Sequence, residues 1–176
     1  MPLLLAKLAG SVLVAIAMLY PLATPEGRAG VLASVSALGW GTAAAIVAAF
    51  LIGIALYCRS LQACLTRIAP ANRAMAPRAV WLMFVPFYNI IEDFFIIRGV
   101  TTSIRAEAAI NPRLAGFTRF GAVSGYGWAV AQVLALVPSR LGEAASVIAL
   151  ALWLWHWWFI ARVMRALRAE EAPQLR

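Results

Sequence analysis

Charge is what this chain has least of. Asp, Glu, Lys and Arg make up only 12% of its residues, against about 25% in soluble domains. It holds one histidine and two cysteines, Cys58 and Cys64, with no CxxC spacing. A zinc site or a bis-histidine haem needs more ligands than that, so the cysteines read as free thiols in buried or interfacial positions. GxGxxG, Walker, HExxH and GxSxG patterns are also missing. No catalytic, cofactor or metal residue is therefore assigned.

Apolar sequence fills the space instead. The chain is 64% hydrophobic, and its mean hydropathy is +0.85. A soluble core of this size cannot hide so much apolar surface, which makes lipid the solvent. The net charge of +8 arises from 15 Lys and Arg against 7 Asp and Glu. In a membrane protein that excess reads as cytoplasmic loops and contact with anionic lipid, with no nucleic-acid partner.

Five apolar runs are separated by polar stretches. Residues 3–23 are long enough to span, with Lys7 able to snorkel to the near interface. A positive residue before an apolar run also resembles a signal peptide, but no small-x-small cleavage pattern precedes Thr24, so an uncleaved helix is expected. The stretch TPEGRAG predicts a turn, and a second span covers about 34–57. Within it Gly41, Ala45, Ala49 and Gly53 recur at every fourth residue, a face suited to close helix packing. A basic loop follows over 59–78.

The fourth run, about 120–138, repeats the small-residue pattern with Gly121, Gly125 and Ala129, and Gln132 is its one strongly polar residue. The fifth run, about 143–163, carries His156 among Trp153, Trp155, Trp157 and Trp158, which predicts an aromatic belt at the interface. Residues 1–168 form a single helical membrane domain in this reading, and 169–176 a polar tail.

The third run, within 79–109, is different because Pro86, Asn89, Glu92 and Asp93 interrupt it. If it crossed, the basic residues would divide 6 to 9 between the two sides. If it enters and leaves on one side, they divide 13 to 2, the asymmetry that orients membrane proteins. An ionised acid at the bilayer centre costs about 2.5–3.5 kcal/mol, so Glu92 and Asp93 are expected to meet water at the interface. The expected fold is an all-α membrane protein. It has four transmembrane helices and an aromatic re-entrant or interfacial helix on the cytoplasmic side, with both termini cytoplasmic. The helix should begin near Phe87 and place Asn89, Glu92, Asp93, Ser103 and Glu107 on one face.

The spacing of Asn72, Arg73, Met75, Pro77, Val80, Trp81, Leu82, Pro86 and Asn89, followed by Ser103 and Glu107, resembles a widespread group of small bacterial inner-membrane proteins. Those proteins share this tryptophan–proline–asparagine signature, and the resemblance implies an inner-membrane location without implying an activity. Glu92-Asp93 departs from the group, where an aromatic or amide residue is expected. The candidate functional segment is accordingly Asn72, Arg73, Arg78, Trp81, Pro86, Asn89, Glu92 and Asp93.

Two functions fit these residues. The first is a non-enzymatic, lipid-contacting or partner-binding accessory subunit that touches anionic lipids and belongs to a larger complex or homo-oligomer. The alternative is a small oligomeric transporter or channel using Asn89, Glu92, Asp93 and Gln132. A lipid-acting enzyme with Glu92 or Asp93 as general base is a more distant third.

Overall fold

A computed structural model describes residues 1–168, and the polar tail expected over 169–176 lies outside them. The described residues are helical without strands: α1 (Pro2–Ala23), α2 (Pro25–Leu38), α3 (Trp40–Arg67), α4 (Tyr88–Ala108), α5 (Ala122–Leu134) and α6 (Arg140–Arg168), with short 3-10 turns at Pro70–Asn72, Pro77–Phe84 and Pro112–Leu114. Three of these helices, α1, α3 and α6, are long and apolar enough to cross a membrane.

The expected spans shift at several edges. The stretch TPEGRAG starts a helix rather than making a turn. Thr24 Oγ1 accepts from Gly27 N at 3.1 Å, Pro25 follows the cap and Glu26 occupies the first turn. These are N-terminal signals strong enough to outweigh the glycines. Gly39, at φ +81°, then breaks α2 from α3. Consequently the second helix long enough to cross begins at Trp40 instead of 34. It also runs on to Arg67, through residues expected to be loop, because Leu61, Cys64, Leu65 and Ile68 form a buried stripe at the i, i+3, i+4, i+7 spacing of a packed helix face.

The fourth run is helical only over Ala122–Leu134, 13 residues or about 20 Å, short of the roughly 30 Å hydrocarbon core. The last helix is longer than expected. Ser139 Oγ accepts from Gly142 N at 3.4 Å at its start, and Glu143 sits in the first turn.

Burial is uneven along the bundle. The packed core gathers Tyr57, Leu61, Leu65, Ile96, Val100, Ile104, Ile160 and Val163, joined by Val80 and Met83 from the 3-10 turn. By contrast the outer faces of α1 and the first half of α3 expose Leu3, Leu4, Leu13, Ile16, Trp40, Ile46 and Phe50, the surface expected where lipid covers the chain.

The segment between α3 and α4 folds as a hairpin. Asn72 Nδ2 and Ala69 N both donate to Glu107 Oε2, at 2.8 and 3.1 Å. Ala74 N donates to Ser103 Oγ at 2.8 Å, and that hydroxyl donates onward to Gly99 O at 2.7 Å. Residues 69–74 therefore lie beside the C-terminal half of α4.

Candidate functional site

The residues of the third run resolve into two groups with different work. Asn72 holds Glu107, and Arg73 closes α3 by donating to Ile68 O and Thr66 O, each at 2.8 Å, where a cation also meets the negative end of the helix dipole. Met75 lies against Gly99 so closely that a Cβ there would meet its Sδ at 2.5 Å. Trp81 Nε1 donates to Gln62 Oε1 at 2.7 Å and its ring stacks on Phe84. Pro86 precedes Phe87, whose φ of +64° marks the bend into α4. Together these residues fasten the hairpin. Arg78 stands exposed and is not brought to the acids.

The second group lies deeper and corrects the expected orientation of α4. Its polar side points inward: Glu92 is 6% and Asp93 3% exposed, and Ser103 and Glu107 are also buried. Ile91, Phe94 and Phe95 are less buried than the acids. The acids thus do not meet bulk water. In lipid the apolar face of a helix is the one that can point outward, and polar groups must find partners inside the protein.

Partners are present. Lys7 Nζ pairs with Glu92 Oε2 at 2.6 Å and lies 4.0 Å from the centre of the Phe95 ring. Gln132 Nε2, from α5, donates to Asp93 Oδ2 at 2.7 Å. The other oxygen of Asp93 is buried without a hydrogen-bond partner, as is the hydroxyl of Tyr57.

Tyr57 and Gln132 meet in a cavity of about 250 Å³ between α3, α4, α5 and α6, with Asn89 beside them. Its walls are aromatic: Trp128 and Trp153 each stand edge-on to Tyr57 with ring centres 5.7 Å away, and Phe50 and Met83 complete the apolar side. Asn89 and Asp93 are one helical turn apart on α4, so the polar wall of the cavity is backed by the carboxylate.

The remaining candidates separate cleanly. Gly121 and Gly125 lie against α6 and α4: a Cβ at Gly125 would meet Ile97 at 2.7 Å and His156 at 3.0 Å. Ala129 is fully buried. Gly53 faces the Trp153 ring, whereas Gly41 has open space around it and Ala45 and Ala49 are exposed. His156 is not part of an interfacial belt. It is fully buried, with Nδ1 3.1 Å from Ser124 Oγ, while Trp155 and Trp158 face outward.

Lys7 and Tyr57 are the site residues that sequence reasoning missed. A lone lysine inside an apolar span was the available signal for the first; a single tyrosine in α3 gave none for the second. Among the described residues no group of His, Cys, Asp and Glu could hold a metal ion. Cys58 and Cys64 are buried free thiols. Comparison with protein-family models, curated proteins and solved structures finds no match to this chain.

Proposed function

We propose that this chain is a small transport protein of the bacterial inner membrane, with the cavity at Tyr57, Asn89 and Gln132 as its solute site. In this reading α1, α3, α6 and the region around α5 cross the membrane. The hairpin from Pro77 to Ala108 is re-entrant from the cytoplasmic side, and both termini are cytoplasmic. The bias of basic residues toward that side and the signature around Trp81 support the location.

The observation that carries the reading is the convergence of Tyr57, Asn89, Gln132 and Ser146 on a cavity inside an otherwise apolar bundle, with the buried Asp93 carboxylate hydrogen-bonded to Gln132 behind it. Ionisable groups so placed mark solute or ion routes. Two neighbouring depressions extend the path. One of about 820 Å³ at the α5–α6 turn shares Ala135 and Ser146 with the aromatic cavity. Another of about 440 Å³ contains Lys7, Glu92, Arg98 and Thr102 on a different face of α4. Glu92 lines this second depression, while the adjacent Asp93 is hydrogen-bonded to Gln132 in the wall of the aromatic cavity. The Lys7–Glu92 pair is the natural gate.

Proteoliposome uptake of radiolabelled methylammonium, glycine and glycerol tests this. Uptake of at least one should exceed that of protein-free liposomes and fall about tenfold, equivalent to about 1.4 kcal/mol, in Asp93→Asn. Uptake no faster than through bare lipid for all three removes the reading.

A second reading, the lipid-contacting or partner-binding accessory subunit, draws on a different surface. Arg162 lies over Trp158 and Phe117 at 4.9 and 5.6 Å, and Arg105 over Phe120 at 5.7 Å. Cations held among aromatics suit an anionic headgroup layer. Co-purification from native membranes separates the two, because an accessory subunit brings its complex or a second copy with it.

A further inference from the structure

We infer that the aromatic cavity selects a small organic monocation, an ammonium group carried on an apolar body. Binding of that cation stands on the cavity itself, and only its passage across the membrane rests on the transport reading. The charge pattern comes first. Of the two adjacent acids, Glu92 has its cation in Lys7, while Asp93 has only the Gln132 amide on one oxygen and no hydrogen-bond partner on the other. Among the described residues no Lys or Arg lines the cavity. Asp93 stands behind Gln132 in the cavity wall; in its ionised form it favours a cation there and opposes an anion, and a bound cation in turn favours that form.

The acceptors agree with the charge. Tyr57 forms part of the cavity wall, and its hydroxyl is buried without a hydrogen-bond partner. Gln132 commits its amide nitrogen to Asp93, which leaves its carbonyl oxygen as an acceptor, and Asn89 offers another. An ammonium has donors for such a set and no need of an accepting partner.

The remaining wall supplies what an apolar cation requires. The rings of Tyr57, Trp128, Trp153 and Phe50 surround a volume of about 250 Å³, which suits a molecule of a few carbons. Aromatic faces attract cations most where water is excluded. A sugar or a zwitterion would leave hydroxyls or a carboxylate against these rings without donors to satisfy them.

Calorimetric titration of the full chain in lipid nanodiscs, corrected with protein-free nanodiscs, tests the inference with benzylammonium, its uncharged counterpart benzyl alcohol, and benzoate. Benzylammonium should bind about tenfold or more tighter than either of the others, a difference of about 1.4 kcal/mol. Asp93→Asn should abolish that preference while retaining the wild-type melting temperature, and Tyr57→Phe should reduce it. Equal binding of benzylammonium and benzyl alcohol, or an unchanged preference in a folded Asp93→Asn variant, overturns it. Cation preference without any proteoliposome uptake leaves the site standing and removes transport. Uptake that depends on Asp93 without cation preference does the reverse.

Discussion

Lys7 Nζ and Glu92 Oε2 lie 2.6 Å apart across 85 residues of sequence, in side chains only 15% and 8% exposed. The pair ties α1 to the first turns of α4, and both ions depend on it because neither has much water. Removing one partner of a buried pair strands the other charge at a cost of about 3–5 kcal/mol, whereas replacing both with apolar residues is far milder. Lys7→Met should therefore lower the melting temperature sharply in detergent, and the double variant with Glu92→Met should recover most of the loss. A double variant as unstable as the single one would show that the charge pair is not the cause.

Glu107 anchors the start of the hairpin through Asn72 Nδ2 and Ala69 N. Glu107→Ala leaves both donors without their acceptor, a loss of about 1–3 kcal/mol for each buried group left unsatisfied. Limited proteolysis should then cut within residues 66–76 sooner than in the wild type. An unchanged cleavage rate contradicts the assigned role.

The glycines of α3 and α5 should behave in opposite ways. Gly125→Ala drives a methyl group into Ile97 and His156, at 2.7 and 3.0 Å, and overpacking of this kind costs about 1–3 kcal/mol. Gly41→Ala meets nothing within 4 Å and should be neutral or stabilise by no more than about 1 kcal/mol. Thermal unfolding of the two variants in one detergent provides the comparison.

Single cysteines in place of Arg78 and Arg105, made in a Cys58→Ala, Cys64→Ala background, address the hairpin's geometry. Both should label with a membrane-impermeant maleimide from the cytoplasmic side, and a cysteine at Arg140 from the opposite side. Labelling of the first two from opposite sides would make the hairpin a crossing.

Much of the helical plan was readable from hydropathy alone, since α1, α3 and α6 coincide with long apolar runs, although their ends moved. Thr24, Pro25 and Glu26 carried a capping signal that the nearby glycines obscured. The common face of Asn89, Glu92, Asp93, Ser103 and Glu107 followed from 100° per residue. Its direction did not, because the rule that polar faces meet water belongs to soluble helices and reverses where lipid surrounds the chain. Nor could spacing reveal Lys7 as the partner of Glu92 or bring Tyr57 to Gln132, since such pairings exist only once distant helices pack. Asn72 and Arg73 were visible as a signature, but their hydrogen bonds show fastening of the hairpin, a role that local sequence does not distinguish from ligand contact.

The inward-turned polar face of α4 also bears on how the protein is made. Alone in a bilayer this helix would present Glu92, Asp93, Ser103 and Glu107 to hydrocarbon, so it has no stable place there until α1 is already waiting with its lysine. Gln132 comes later in the chain, so Asp93 gains its hydrogen-bond partner only once α5 has followed. A chain that loses α1 leaves the Glu92 carboxylate without its cation.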